Sequence, residues 1–159
     1  IVLSDNVFHG NMATNVQLDT KRGQVISIAN NVFRSKGGDL SFSAKDLEIQ
    51  VEMRGNSFIS DQISFNNILD VTNSVIQARD VKLKHIRSFT GNRLFSCMSI
   101  NFVGYPLDDK IAMLKGNAYA NDCYYYWLDG FKRIDNDEAE KVRDWLSEYS
   151  RRQFSEVFE

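Results

Sequence analysis

Apolar and polar positions alternate with a period of two through much of the chain, and one variant of that alternation recurs. In Ile26-Ser27-Ile28-Ala29-Asn30-Asn31-Val32-Phe33, two apolar residues flank a polar one, asparagine follows, and an aromatic closes the frame. Ile1, Leu3, Asn6 and Phe8 fit the same frame, as do Val51, Met53, Asn56 and Phe58, and later Ala112, Leu114, Asn117 and Tyr119. A degenerate copy is read at Val81 and Leu83, with Ile86 in the asparagine slot and the aromatic Phe89 one residue late. Counted at that slot, the steps are 25, 25, 30 and 31 residues. A repeat of this length built on a short apolar strand predicts stacked coils, a solenoid.

A second alternating strand follows each frame. Val16-x-Leu18, Leu40-x-Phe42 and Ile63-x-Phe65 are reached through turns rich in Gly, Asn, Asp and Ser, so each coil is expected to hold at least two strands. Leu47, Ile49, Val51 and Met53 carry the alternation into the next coil. Asparagine suits the bend because it tolerates left-handed backbone. Its amide can also bond to an asparagine one coil away, which makes Asn6, Asn31 and Asn56 consecutive rungs of a ladder. Phe8, Phe33 and Phe58 are then expected to stack as a column. The two longer steps, between residues 56 and 117, carry roughly five extra residues each, and such extensions become loops on one face. Leu94 to Phe102 reads as one long strand, and Pro106 marks an exposed turn.

Past Asn117 the pattern changes. Tyr124-Tyr125-Tyr126-Trp127 is the densest aromatic run. Asp135 and Glu138 have capping-box spacing, and Ala139, Val142, Trp145, Leu146 and Tyr149 fall near one helical face. Residues 1–130 are therefore expected to form coils, and residues 131–159 a helical cap over the apolar end of the solenoid.

Composition adds exclusions. With 159 residues, 43% apolar and 25% charged, the chain is an ordinary single globular domain. A net charge of −2 gives no basic excess for nucleic acid. No run of about 18 apolar residues predicts a membrane span. Cys97 and Cys123 lie 26 residues apart, close to one coil, and read as two buried thiols or, in a secreted protein, as a disulfide. His9 and His85 are too few and too distant for zinc, and no metal or cofactor is expected. The chain starts inside a repeat strand, so further coils of the same protein, or a partner chain, are expected at the Ile1 end.

Several residues are candidates for chemistry. Tyr124, Tyr126 and Trp127, with Tyr125, can form a stacking platform for sugar rings, or alternate in a last strand under the cap. Asp39 and Asp61 each follow an asparagine-aromatic turn and can share a face; held about 5–9 Å apart, two carboxylates run glycoside hydrolysis. Turn aspartates such as these, Asp19 and Asp46 also occur for conformational reasons alone. Lys82, Lys84, Arg87 and Arg93 can bind an acidic polysaccharide or simply solvate a strand face. Arg151 and Arg152 suit a helix C-terminus.

The frames Ile28-Ala29-Asn30-Asn31-Val32-Phe33 and Met53-Arg54-Gly55-Asn56-Ser57-Phe58 resemble coils of right-handed parallel β-helix proteins of the pectin-lyase-like superfamily, over about residues 1–120. The resemblance implies an all-β, right-handed parallel β-helix of about five coils with a C-terminal capping α-helix. It implies a carbohydrate-active or carbohydrate-binding surface protein with a polysaccharide partner, extracellular or surface-located. The superfamily's hydrolase signatures and its calcium-lyase aspartate clusters are absent here, so no catalytic residue transfers and whether the chain is an enzyme stays open. The alternative, from another class, is a non-enzymatic structural or protein-binding solenoid. Leucine-rich repeats share the frame but need leucines three and six residues upstream, where Gly23 and Thr20 stand before Ile26.

Overall fold

The computed structural model describes residues 1–46, 48–105, 109, 112–113 and 116–120, together with the backbone of residues 126–129 and 132–133. Short strands follow one another in threes. The first coil holds β1 (Val2–Ser4), β2 (Val7–Gly10) and β3 (Thr14–Leu18), and the second β4 (Val25–Ala29), β5 (Val32–Ser35) and β6 (Asp39–Ala44). The third holds β7 (Gln50–Arg54), β8 (Ser57–Ile59) and β9 (Gln62–Asn66), and the fourth β10 (Asp70–Thr72), β11 (Val75–Gln77) and β12 (Asp80–Lys84). The fifth holds β13 (Ser88–Thr90), β14 (Arg93–Phe95) and β15 (Ser99–Val103). β16 (Ala118–Tyr119), β17 (Tyr126–Asp129) and β18 (Lys132–Arg133) follow.

Each strand pairs in parallel with its counterpart one coil away. The result is three sheets, ordered β1-β4-β7-β10-β13, β2-β5-β8-β11-β14-β16 and β3-β6-β9-β12-β15-β17-β18. This is an all-β parallel solenoid of the β-helix kind, with three strands per coil where the sequence had promised at least two. Among the described strands the last pairing differs: β18 runs antiparallel to β17. The helix expected from Asp135 onward lies outside the described residues.

The alternation read in the sequence becomes columns, because every second side chain of a strand points into the coil. In the first sheet Leu3, Ile28, Met53, Val71 and Phe89 align from coil to coil. In the second the column runs Phe8, Phe33, Phe58, Ile76, Leu94 and Tyr119. In the third, Val16, Phe42, Phe65, Leu83 and Phe102 align beside Leu40, Ile63, Val81 and Ile100. Phe8–Phe33 and Phe33–Phe58 stack with centroids 4.8 and 5.6 Å apart, and Phe42 meets both Phe33 and Phe58 edge-on. Each such pair contributes about 0.5–1.5 kcal/mol beyond burial of its area.

The asparagine ladder forms as expected at its start. The backbone N–H and the Nδ2 amide of Asn6 both donate to Oδ1 of Asn31, at 3.0 and 3.2 Å. Asn31 donates likewise to Asn56, at 2.9 and 3.2 Å. Each incoming amide also donates to a first-sheet carbonyl of the coil before it: Asn31 to Leu3, Asn56 to Ile28. These buried polar groups are therefore satisfied within the stack.

Two sequence expectations are corrected. The ladder does not pass through Ile86. Asn56 N–H donates to Ser74 Oγ, Ser74 N–H to Asn92 Oδ1, and Asn92 to Asn117, so the steps are 25, 25, 18, 18 and 25 residues. Val81 and Leu83 belong to the third sheet, opposite Ile63 and Phe65. The two expected long coils between residues 56 and 117 are thus three, of 18, 18 and 25 residues, the first two with trimmed rather than extended turns. The stretch from Leu94 to Phe102 is likewise two strands, β14 and β15, broken at Ser96, whose φ is 56°. The left-handed bend is also displaced. It falls on the residue before each of the first five rungs, at Asp5, Asn30, Gly55, Asn73 and Gly91, which leaves the rung's own side chain free to bond along the stack.

Candidate functional site

Polar chemistry collects on the outward face of the third sheet, at its start. The side chains that alternate with the buried column form two outward rows. One runs Asp39, Gln62, Asp80, Ser99, and the other Asn15, Ser41, Ser64, Lys82, Asn101. Parallel pairing sets neighbours in each row about 4.8 Å apart. The face is concave, enclosing about 440 Å³ bordered by Asp39, Gln62, Ser64, Asp80, Lys82 and Asn101. A second recess of about 280 Å³ lies around the adjoining corner, against Arg34, Lys36, Asp61, Gln77 and Arg79.

Arg79 links the two recesses. Its Nε lies 2.7 Å from Asp80 Oδ2. That hydrogen bond and charge hold the guanidinium above the ordinary arginine range, and Asp61 and Asp39 add to the effect. Ser99 Oγ donates to the other oxygen of Asp80 at 2.6 Å. Asp80 is thus engaged on both oxygens. Ser41 Oγ donates to Asn15 Oδ1 at 3.0 Å, one rung across. The arrangement offers fixed donors and acceptors on a stiff sheet, which suits recognition of a hydroxyl-rich ligand.

The structure brings some candidates together and separates others. Asp39 opens β6 and Asp61 precedes β9. Both lie near Arg79, as their joint influence on it requires. Lys82 and Lys84 stand outward on β12. Arg87 instead clasps Asp70 beside the first sheet, at 2.8 and 3.1 Å, and Arg93 opens β14 in the second. The four basic residues therefore do not share a face. Asp19 pairs with Lys45, and Asp46 accepts the N–H of Glu48 within its own turn. His9 lies on β2, whereas His85 sits in a left-handed turn with Nδ1 3.1 Å from Asn67 Oδ1. Cys97 is buried, and Cys123 lies outside the described residues.

By backbone register Tyr126 continues the row of Ser99, and Trp127 continues the column of Ile100. Their side chains, and Tyr124 altogether, lie outside the described residues. Among the described residues no group of three or more His, Cys, Asp or Glu is arranged to hold a metal, and no helix is long and apolar enough to cross a membrane. Gln62, Ser64, Asp80, Ser99 and Asn101 were not singled out in the sequence. The signal that finds them is the polar half of the same alternation, once the short coils are aligned. Compared with known protein families, with curated proteins and with solved structures, the chain matches none.

Proposed function

We propose that the chain is a carbohydrate-binding segment of a right-handed parallel β-helix of the pectin-lyase-like kind, and that the outward face of the third sheet receives an extended glycan. The observation that carries this reading is the pair of polar rows around the concavity, with Gln62, Ser64, Lys82 and Asn101 presented at regular spacing. Sugars expose hydroxyls on both edges of each ring, and a rigid array of amides, hydroxyls and charges meets them without the cost of ordering loops. The reading is one of binding and assigns no hydrolytic pair: Asp80 is held by Arg79 and Ser99, and Asp39 stands on the coil next to Asp61.

A second reading, a protein-binding solenoid, rests on the outward face of the second sheet, where Val7, Val32, Ile59 and Val75 stand. A glycan array on the intact chain separates the two. Under the first reading a glycan binds, and Gln62→Ala with Lys82→Ala weakens it by about tenfold or more, the loss expected for one or two hydrogen bonds including a charged one. An array with no bound glycan, or an affinity untouched by both changes in a folded protein, rejects it.

A further inference from the structure

The corner between the second and third sheets changes length along the stack. It spans residues 36–38 between β5 and β6 and 96–98 between β14 and β15, but only 60–61 and 78–79 in the coils between. The two short corners lie back between longer ones, and the recess of about 280 Å³ is the hollow they leave.

That hollow is cationic in a chain whose net charge is −2. Arg34, Lys36 and Arg79 border it, against one carboxylate, Asp61. Arg34 stands outward on β5 and Lys36 on the corner that follows. Arg79 comes from the corner two coils further on, about 10 Å along the stack. Three charges of one sign thus approach one hollow from three segments. Arg79 is paired with Asp80, whereas Arg34 and Lys36 have no ion-pair partner among the described residues. Like charges gathered round one hollow repel one another, and an anion seated between them turns that repulsion into attraction. The backbone adds a donor. Gly37 borders the recess with φ of 81°, open space where a Cβ would stand, and an N–H without an acceptor among the described residues. Glycine at such a place lets the main chain come close to a ligand.

We infer that this recess binds a tetrahedral oxyanion of the sulfate or phosphate type, held by Arg34, Lys36, Arg79 and the Gly37 N–H. Cations arriving from separate segments suit a group with three terminal oxygens; a planar carboxylate is matched by a single fork. Resting on the glycan reading above, the anion is an ester sulfate or ester phosphate of the glycan lying on the third sheet. Arg79 stands at the junction of the two recesses, and its partner Asp80 belongs to the outward row nearest the corner. A free inorganic anion offers the same chemistry.

Backbone amide shifts of the intact chain, followed by NMR as sodium sulfate or inorganic phosphate is added at constant ionic strength in chloride, test the recess itself. Saturating shifts are expected at Lys36, Gly37 and Arg79. Arg34→Gln and Lys36→Gln should each weaken binding by about fivefold, the scale of one charge contact near a surface. Asp61→Asn should tighten it by about the same factor, because the one opposing charge is gone. Lys21→Gln, on the corner after β3, should change nothing. Shifts that never saturate, that chloride reproduces, or that the three recess variants leave unaltered in a folded chain overturn the inference. An array printed with neutral, uronate, sulfated and phosphorylated forms of the same glycan backbones then separates the sources. An ester form bound about tenfold tighter than its neutral form, with the gain lost in the Arg34→Gln, Lys36→Gln double variant, assigns the anion to the glycan. Neutral and ester forms bound equally overturn that assignment and leave the glycan reading standing. A uronate form bound tightest overturns the tetrahedral site. Saturable sulfate with no glycan bound in any form rejects the glycan reading and keeps the recess as the site of a free anion.

Discussion

The first and third coils are written in one sequence frame and occupy different environments. Phe8 and Phe58 hold the same position in the second-sheet column, as Asn6 and Asn56 do in the ladder. Phe58 is wholly buried between Phe33 and Ile76, whereas Phe8 is covered on one side. Asn56 bonds in both directions along the stack, and Asn6 in one. The frame therefore sets the shape of a rung, and a rung draws its stability from the neighbours above and below it, as expected of a quasi-one-dimensional repeat.

The largest effect should come from the aromatic column. Phe58→Ala removes a fully buried ring and is expected to cost about 3–5 kcal/mol, against about 1–2 kcal/mol for Phe8→Ala. Equal shifts in chemical denaturation would mean that the two coils are not energetically distinct.

The ladder gives the next contrast. Asn56→Ala strips the acceptor from both donors of Asn31 and the donor from the Ile28 carbonyl, all buried, for about 2–4 kcal/mol. Asn6→Ala removes only the side-chain donations to Ser4 O and Asn31 Oδ1, from a residue that is itself exposed, and should cost about 1 kcal/mol or less. Denaturation midpoints of the two variants decide this, and a larger loss at Asn6 would place the stability of the stack at its first rung.

The smallest effect belongs to the left-handed bend before the first five rungs. Gly55 has φ of 65°, and a Cβ there would lie 2.6 Å from Asn30 Oδ1 in the coil before. Gly55→Ala is expected to lose about 1–2 kcal/mol. Asn30→Gly, at the same bend one coil earlier, should stay within about 0.5 kcal/mol. Thermal melts of the pair would sharpen the comparison by separating the backbone cost of the bend from the contacts around it.

Much of the repeat was legible because strand alternation and the asparagine frame are local. Asn6, Asn31, Asn56 and Asn117 stand in the ladder where the sequence placed them, and Phe8, Phe33 and Phe58 stack in order. The fourth copy was misread because a serine can hold a rung. Ser74 offers one oxygen to Asn56 N–H, and nothing in its own sequence sets it apart from any turn serine. With that rung missed, Val81 and Leu83 looked like a first-sheet strand, and the polar rows of the third sheet could not be aligned. The candidate face was therefore hidden by one register error.

By itself the sequence determined the rung: short strands of period two, a tight bend, an amide to bond along the stack and an aromatic to fill the coil. Those features depend on backbone preference and side-chain size at neighbouring positions, which one segment carries alone. Only the tertiary structure decided how many residues separate the rungs and which polar side chains meet outside the third sheet. Those outcomes depend on contacts between residues 18 to 28 positions apart, and no single segment encodes them.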